Sequence, residues 1–302
     1  MVETTSLTRL KQAIAECIRT DQSVLDALRS DIRPLKKEMR RIQPRTTTSI
    51  SLVGTDGGNN QLRFDPFLIQ LIRVVDSSNN EYCLEVVSPT TPIGKVSERQ
   101  FDPDGRARTA LGDMMLFLGV KTLPELSHMI RPRDRGKPIS PSWVQVYREL
   151  IEWATLFAIL KKDFGTDTII VCDGLLRSKV FAGDLFRQLL RGIEDRINEQ
   201  RERSHRRVYL AGLAKHSKVL SRYRLAMSLE GVLETDYPAY VEIPRELEEQ
   251  AYVWAEFARG DDRVGEAGEI NKFVGGKMFF VKFGNHRSDP VWPVDIFLPQ
   301  VG

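Results

Sequence analysis

The chain has 302 residues, with 44 Lys and Arg against 41 Asp and Glu, so a net charge of +3 does not by itself indicate a nucleic-acid-binding protein. Apolar residues (41%) and charged residues (28%) are in the ordinary globular range, and no apolar run is long enough to span a bilayer. The N-terminus lacks the apolar core of a secretory signal, and Cys17, Cys83 and Cys172 are widely spaced, which predicts reduced thiols in a cytoplasmic protein.

The first 45 residues are predicted to form a helical segment. Its apolar residues recur at spacings of three and four, the period of one helix face: Leu7, Leu10, Ile14, Cys17 and Ile18. Pro34 and Pro44 limit these helices. Because the apolar stripe is narrow and has basic flanks, we expect residues 1–45 to pack on the body of the protein or to contact a second copy or a partner chain.

Strands are predicted to follow the helical segment. Residues 49–56, 63–77 and 81–89 contain apolar runs, and the first of these runs stops at Asp56, before two glycines. The polar sequence SSNN lies between the second and third runs, so these two are predicted to form an antiparallel hairpin. Pro89 and Pro92 close this block of strands.

Helices and strands are predicted to alternate from residue 106 onwards. Residues 106–162 are predicted to be helical, and residues 141–163 have the clearest amphipathic pattern. The short apolar run Asp167–Asp173 is typical of a central strand. A helix at 180–203, a strand at 206–215, a polar stretch, a charged helix at 244–259 and strands at 277–284 and 292–299 complete the prediction. This order predicts one α/β domain over residues 46–302, a mixed β-sheet flanked by helices.

Several kinds of catalytic site are excluded by the sequence. It has no CxxC or HxH pair for zinc, no GxxxxGK[ST] loop and no GxSxG motif. What remains are aspartates that follow apolar strands and precede glycines, Asp56 and Asp173. Ligand sites in open α/β sheets lie at the carboxyl ends of strands, and two neighbouring carboxylates are tolerated when a divalent cation lies between them. The alternative interpretation is that each Asp-Gly pair simply forms a turn.

A third acid and a cation complete the candidate site. Glu149 and Glu152 lie three residues apart, on roughly one side of the helix that precedes the Asp173 strand. Two strand acids and one helix acid are the arrangement expected of a two-metal phosphodiester-cleaving enzyme. Lys215 and Lys218 follow the next strand, where either would balance phosphate charge. The alternatives are a solvent-exposed or Arg148-paired glutamate and an exposed lysine at a strand end.

Two basic clusters, residues 33–45 and 201–209, are open to two interpretations. Each is either an ordinary solvated face or a patch that contacts phosphates and makes binding sensitive to salt.

At these residues the sequence resembles the NurA nuclease family. The matching segments are VGTDGG, then YRELIEW on the helix before IIVCDGLL, then LAGLAKHSK, and their order and spacing fit over residues 45–220 and more loosely to residue 300. The resemblance implies an RNase-H-like core and Mn²⁺- or Mg²⁺-dependent cleavage of DNA. It also implies a homodimer that works with a HerA-type hexameric ATPase in DNA end processing or phage defence.

The resemblance also implies roles for particular residues. Asp56, Glu152 and Asp173 would be the metal-binding acids, with Glu149 the alternative to Glu152, and Lys215 would be the basic residue. One departure concerns the C-terminus, where the family has a helix with a Tyr-Pro and a histidine after the last strand. Here the sequence stops at DIFLPQVG, and His286 and Arg287 precede the last strand. Either that tail is absent from the sequence or the chain is a divergent nuclease.

Two rival functions remain at this point. GTDGGNN resembles the phosphate loop of sugar-kinase/actin-like ATPases, where glycines bring backbone N–H groups to phosphate. That loop normally opens the chain, whereas here about fifty residues precede it, and the expected threonine after it is missing. The other rival is a non-catalytic partner subunit of a HerA-type motor, in which the N-terminal helices would carry the function.

Overall fold

A computed structural model of the chain describes residues 4–43, 50–64, 67–88, 90–131, 142–252 and 273–301. The chain divides into two compact units. Unit 1 comprises residues 1–44, 215–259 and 278–294, and unit 2 comprises residues 45–214, 260–277 and 295–302. In the described ranges, no helix has both the length and the apolar character that a bilayer crossing requires.

The described residues contain nine helices and nine strands. The helices are α1 (Thr4–Ile32), α2 (Leu35–Glu38), α3 (Ile93–Glu98), α4 (Ala110–Phe117), α5 (Leu123–Leu126), α6 (Ser142–Ile159), α7 (Leu185–Ser204), α8 (Lys218–Glu230) and α9 (Arg245–Tyr252). The strands are β1 (Arg40–Arg41), β2 (Ile50–Phe64), β3 (Phe67–Asp76), β4 (Glu81–Val87), β5 (Asp167–Asp173), β6 (Val208–Leu213), β7 (Ala239–Glu242), β8 (Gly276–Lys282) and β9 (Val291–Phe297). A short 3₁₀ turn, Leu298–Gln300, follows β9.

Unit 2 is built on a five-strand run in the order β6-β5-β2-β3-β4. β2, β3 and β4 form an antiparallel meander, and β5 and β6 are parallel to β2. Read from β4 to β6 and numbered by their order in the chain, the five strands are 3-2-1-4-5. The fourth and fifth strands are parallel to the first, which is the RNase-H-like arrangement. The predicted fold class, a mixed sheet flanked by helices, is confirmed.

The core of unit 2 lies on one face of this sheet. Residues of α4, α6 and α7 pack there against alternate strand positions, among them Ile72, Ile170 and Leu210. α6 contributes more core residues than α4 or α7, because twelve of its eighteen residues are buried. Since strand side chains alternate between faces, the positions between the core residues face the other side of the sheet. The helix that carries Glu149 and Glu152 is therefore fixed against the core face.

Unit 1 fixes the C-terminal end of α1. Ile32 and Leu35 are fully or almost fully buried, and the last turns of α1 pack against α8. The Glu230 carboxylate, at the end of α8, accepts hydrogen bonds from Arg29 Nε (2.7 Å) and Arg33 Nε (3.0 Å). The hydrogen bond with Arg33, followed in size of effect by the one with Arg29, lowers the pKa of Glu230 to about 2. The beginning of α1 is different, because its apolar residues are exposed.

Two predictions about the elements are wrong. The first strand does not stop at Asp56, because β2 continues to Phe64, and Gly57 and Gly58 pair with Val74 and Arg73 of β3. Pairing with β3 thus keeps the backbone extended through a sequence that would otherwise favour a turn. Residues 215–243 are not merely a polar stretch, since they contain α8 and β7. Residues 44–49 and 253–259, which belong to predicted elements, lie outside the described residues.

The predicted β3–β4 hairpin is confirmed, with its turn at residues 77–80. The assignment of residues 1–45 and 46–302 to separate functions stays a prediction.

Candidate metal centre at the carboxyl end of two parallel strands

The register between β2 and β5 brings the two predicted strand acids together. The parallel pairing runs from Ile50 opposite Asp167 to Thr55 opposite Cys172, so Asp56 and Asp173 are the next positions on neighbouring strands. Paired strands lie about 4.8 Å apart. β5 ends at Asp173, whereas β2 continues alongside β3. The side chain of Asp56 lies outside the described part of the structure, so this placement concerns its backbone.

Glu152 approaches the same place from the core side of the sheet. The thiol of Cys172 forms a hydrogen bond with Thr55, and both residues directly precede the two aspartates. The pKa of Cys172 is raised to about 12, chiefly by burial; the Thr55 hydrogen bond opposes the rise, and the negative charge of Glu152 adds to it. The Glu152 carboxylate forms an ion pair with Arg148 (Nε–Oε1 3.5 Å) and is about one-quarter exposed. The charge of this helix acid therefore acts on Cys172, the last residue of β5 that pairs with β2.

Glu149 has a different environment, one turn earlier on α6. Its carboxylate accepts a hydrogen bond of 2.5 Å from the Ser178 hydroxyl, in the loop that follows β5. Burial raises the pKa of Glu149, while the Ser178 hydrogen bond and the charges of Arg148 and Lys179 oppose that rise. Glu149 therefore ties α6 to the loop after Asp173. Ser178 is a site residue that the sequence analysis missed.

The other predicted residues lie elsewhere in the described chain. Lys215 is exposed, two residues after the end of β6, and belongs to unit 1. Its predicted role stays a prediction. His286 lies in the turn before β9. Its backbone N–H donates to the Asp289 carboxylate (2.7 Å), and its backbone carbonyl accepts from the buried Lys282 ammonium (3.0 Å). His286 therefore has a local structural role in this turn of unit 1.

The two basic clusters also differ from each other. In the first, Arg33 bonds to the Glu230 carboxylate, Lys36 donates to the Glu230 carbonyl (2.9 Å), and Arg41 lies over the ring of Tyr237. These cations hold unit 1 together. In the second cluster, polar and basic residues line an open depression of about 410 Å³: Asn198, Arg201, Glu202, His205 and Arg207. This depression lies near the start of β6, at the opposite end of that strand from Leu213, the partner of Asp173.

The residues at the end of β5 fit a divalent cation in their chemistry. Carboxylate oxygens are the ligands that Mg²⁺ and Mn²⁺ prefer, and two aspartates occupy neighbouring backbone positions here. Among the described side chains, no group of three metal-ligating residues is assembled. A ligand set here therefore requires Asp56 together with Asp173 and Glu152, or with Glu149 in place of Glu152.

Comparison with known proteins gives structural neighbours only. No protein-family model matches the chain, and no curated protein matches its sequence. The NurA nuclease from Sulfolobus solfataricus is similar in structure, with 11% identity over 96% of this chain and 80% of that chain and a TM-score of 0.39. A second NurA structure has 11% identity over 94% and 86% of the two chains, with a TM-score of 0.41.

A third neighbour is NurA bound to dAMP and manganese, with 10% identity over 98% of this chain and 87% of that chain and a TM-score of 0.32. The NurA family is the one that the sequence motifs resemble. The likeness concerns the course of the chain and assigns no role to any residue of this protein.

Proposed function

We propose that the chain is a metal-dependent DNA nuclease whose centre lies where β2 and β5 separate. The observation that carries the proposal is the parallel register, which makes Asp56 and Asp173 consecutive neighbours across two strands. Two aspartates at adjacent positions would repel each other at neutral pH, and a divalent cation between them removes that repulsion. Glu152 supplies a third carboxylate from α6, beside Cys172.

Each residue has a distinct part in the proposed reaction. Asp56, Asp173 and Glu152 would hold Mn²⁺ or Mg²⁺, which when bound activates water and stabilises the leaving oxygen of a phosphodiester. Lys215 would balance the charge of the phosphate. Glu149 would hold the loop that follows Asp173, since its carboxylate accepts a hydrogen bond from the Ser178 hydroxyl. The helix acid is therefore Glu152 in this proposal, with Glu149 retained as its alternative.

The phosphate-loop alternative is less compatible with the strand geometry. A phosphate-binding loop needs a turn whose backbone N–H groups converge on the ligand. Gly57 and Gly58 instead lie within β2, in register with Val74 and Arg73 of the neighbouring strand. For this reason we favour the nuclease over a sugar-kinase/actin-like ATPase.

The proposed partners rest on the resemblance and on the surface of α1. Leu7, Leu10, Ile14 and Ile18 are 43–60% exposed on one face of that helix. A contiguous exposed apolar stripe of this kind marks an interaction surface. We propose a homodimer that works with a HerA-type hexameric ATPase in DNA end processing or phage defence, in the cytoplasm, with the first turns of α1 as a contact surface.

The test compares metal-dependent cleavage and melting temperature in five single variants. Single- and double-stranded DNA are incubated with Mn²⁺ and, separately, with EDTA. Asp56→Asn and Glu152→Gln should abolish cleavage without destabilising the metal-free protein, because each keeps its shape and loses one charge. Lys215→Ala should slow cleavage and leave Mn²⁺ binding intact. Glu149→Gln should retain most activity, since an amide oxygen still accepts from Ser178.

The fifth variant, Asp104→Asn, is the matched control. Asp104 is an exposed aspartate that precedes a glycine with φ +78°, so it shares the Asp-Gly sequence and lies away from the β2–β5 pair. The Asp104→Asn variant should cleave DNA like the wild type. Full activity in Asp56→Asn would exclude the nuclease proposal. A wild-type chain that binds DNA and a motor without cutting would favour the non-catalytic subunit. Activity lost in Glu149→Gln and kept in Glu152→Gln would reverse only the choice of helix acid.

A further inference from the structure

The loop directly after Asp173 is held by a buried ion pair from a distant part of the sequence. Asp295, on β9, is fully buried, and its carboxylate accepts hydrogen bonds from Arg177 Nε (2.8 Å) and Nη2 (2.9 Å). The same carboxylate accepts from the backbone N–H of Leu176 (3.1 Å). Two parallel bonds between a guanidinium and a carboxylate fix orientation as well as distance.

The backbone around this pair is held by hydrogen bonds to residues 273–275. Arg177 forms an antiparallel bridge with Val274, the Gly275 N–H donates to the Leu176 carbonyl (2.7 Å), and the Ser178 N–H donates to the Phe273 carbonyl (3.0 Å). A Cβ on Gly276 would lie 2.5 Å from Cβ of Asp295, closer than real Cβ contacts. Glycine at this position is what allows the Asp295 side chain to reach the loop.

The other end of the loop is fixed by its neighbouring strand. The Gly174 N–H donates to the Leu213 carbonyl (2.8 Å), which continues the β5–β6 ladder beyond Asp173. Gly174 has φ +120°, a conformation that residues with a side chain rarely adopt. The loop from Gly174 to Ser178 therefore starts at a proposed metal ligand and ends at the hydroxyl that holds Glu149.

We infer that Arg177 and Asp295 are positioning residues for the proposed metal centre. They fix the five-residue loop 174–178, so that Asp173 and the Ser178–Glu149 contact keep a constant separation while a cation is bound. This inference rests on the proposed function. It goes beyond that function because it assigns a role to two residues outside the proposed ligand set, which act through the backbone of Leu176 and the guanidinium fork. Groups that orient metal ligands typically change metal affinity or activity by about 10- to 100-fold when altered.

The test is Arg177→Lys, which keeps the charge opposite Asp295 and removes the two-bond fork. Arg245→Lys is the matched control, because Arg245 Nη1 also lies 2.9 Å from a carboxylate, that of Glu248 on α9 in unit 1. Three quantities are measured on both variants and the wild type. They are amide hydrogen exchange over residues 174–178 without metal, the Kd for Mn²⁺ by calorimetry, and kcat for DNA cleavage.

We expect faster exchange over residues 174–178 in Arg177→Lys, and Mn²⁺ binding and kcat reduced about 10- to 100-fold. Arg245→Lys should match the wild type in all three measurements. If Arg177→Lys is too unstable to purify, the double variant Arg177→Gln/Asp295→Asn removes both charges together and leaves a shorter amide in place of the guanidinium fork, and the same three changes are expected of it.

Two results would overturn the inference in different ways. Unchanged exchange, Kd and kcat in a folded Arg177 variant, beside an active wild type, would refute the positioning role alone. A wild type that neither binds Mn²⁺ nor cleaves DNA would refute the proposed function, and with it the positioning role.

Discussion

Gly212→Ala should disturb the loop after Asp173 from β6, the strand that pairs with β5. Gly212 lies on β6, and a Cβ built there would be 2.5 Å from the Gly174 carbonyl oxygen and 2.9 Å from the Leu176 nitrogen. Both atoms belong to the backbone, and both residues are held by hydrogen bonds: the Leu176 N–H donates to the Asp295 carboxylate, and the Gly174 N–H donates to the Leu213 carbonyl. The extra methyl group therefore cannot be accommodated by rotating a side chain.

The expected magnitude follows from overpacking a closely packed site. Such substitutions cost about 1–3 kcal/mol, and in domains of this size 1 kcal/mol lowers the melting temperature by about 2–4 °C. Gly212→Ala should thus melt about 2–12 °C below the wild type. Because the displaced atoms flank Asp173 and hold Arg177 in place, its affinity for Mn²⁺ should fall as well. Differential scanning calorimetry with and without Mn²⁺ measures both effects.

Gly94→Ala gives the control for the same chemical change. Gly94 lies in α3 and has no positive φ, and a methyl group added there would meet no atom within 4 Å. Alanine is more favourable than glycine inside a helix by about 0.5–1 kcal/mol, so this variant should melt slightly above the wild type. Opposite signs for the two substitutions are the expected result. A Gly212→Ala protein that melts and binds Mn²⁺ like the wild type would refute the close packing of the loop on β6.

Two further predictions concern unit 1. Glu230 has a pKa lowered to about 2 from 4.5 by its hydrogen bonds with Arg33 and Arg29, so its stabilising effect is present above pH 4.5 and lost as the pH falls toward 2. Glu230→Gln should therefore remove part of the fall in melting temperature between those pH values, and an unchanged pH profile would contradict the ion pair's role. Deleting residues 1–23 should weaken self-association, measured by analytical ultracentrifugation, while unit 1 stays folded because Ile32 and Leu35 remain. A truncated chain that dimerises like the full one would exclude the exposed part of α1 as the dimer contact.

The elements that the sequence predicted well have a strong local pattern. The apolar run before Asp173 forms β5 over the predicted residues, because a short continuous apolar segment is typical of a strand inside a sheet. α6 is likewise confirmed over its described residues, since its apolar face recurs at helical spacing. In both cases the spacing of apolar residues in the local sequence is enough to predict the element.

α8 was missed although it has start and stop signals. Ser217 caps its first turn by accepting from Val219 and Leu220, and Gly231 ends it with φ 65°. Its buried residues are Val219, Tyr223, Ala226 and Met227, at spacings of four, three and one, but charged residues lie between them and lower the apparent amphipathicity. The cap and the glycine, taken together, would have identified the helix.

The length of β2 and the Arg177–Asp295 pair depend on contacts that are distant in sequence. Glycines at 57 and 58 favour a turn locally, and pairing with β3 overrides that preference. Asp295 is separated from Arg177 by 118 residues, so no local pattern connects them. One signal was available: a single carboxylate within the apolar segment WPVDIF must find a partner if the strand is buried.

The position of the proposed centre follows from the two faces of the sheet. Ile170 lies in the core and Cys172 packs against it, so strand alternation directs the exposed Asp173 away from the face that α6 covers. Glu152 comes from α6, and its charge acts on Cys172. Acids that start on opposite faces can approach one another only at an edge where a strand stops, and β5 stops at Asp173. The loop 174–178 turns over that edge. A small movement of this loop would therefore change the separation of the carboxylates directly. For this reason a rigid, fully buried ion pair stabilises the proposed centre more effectively there than at any other point of the sheet.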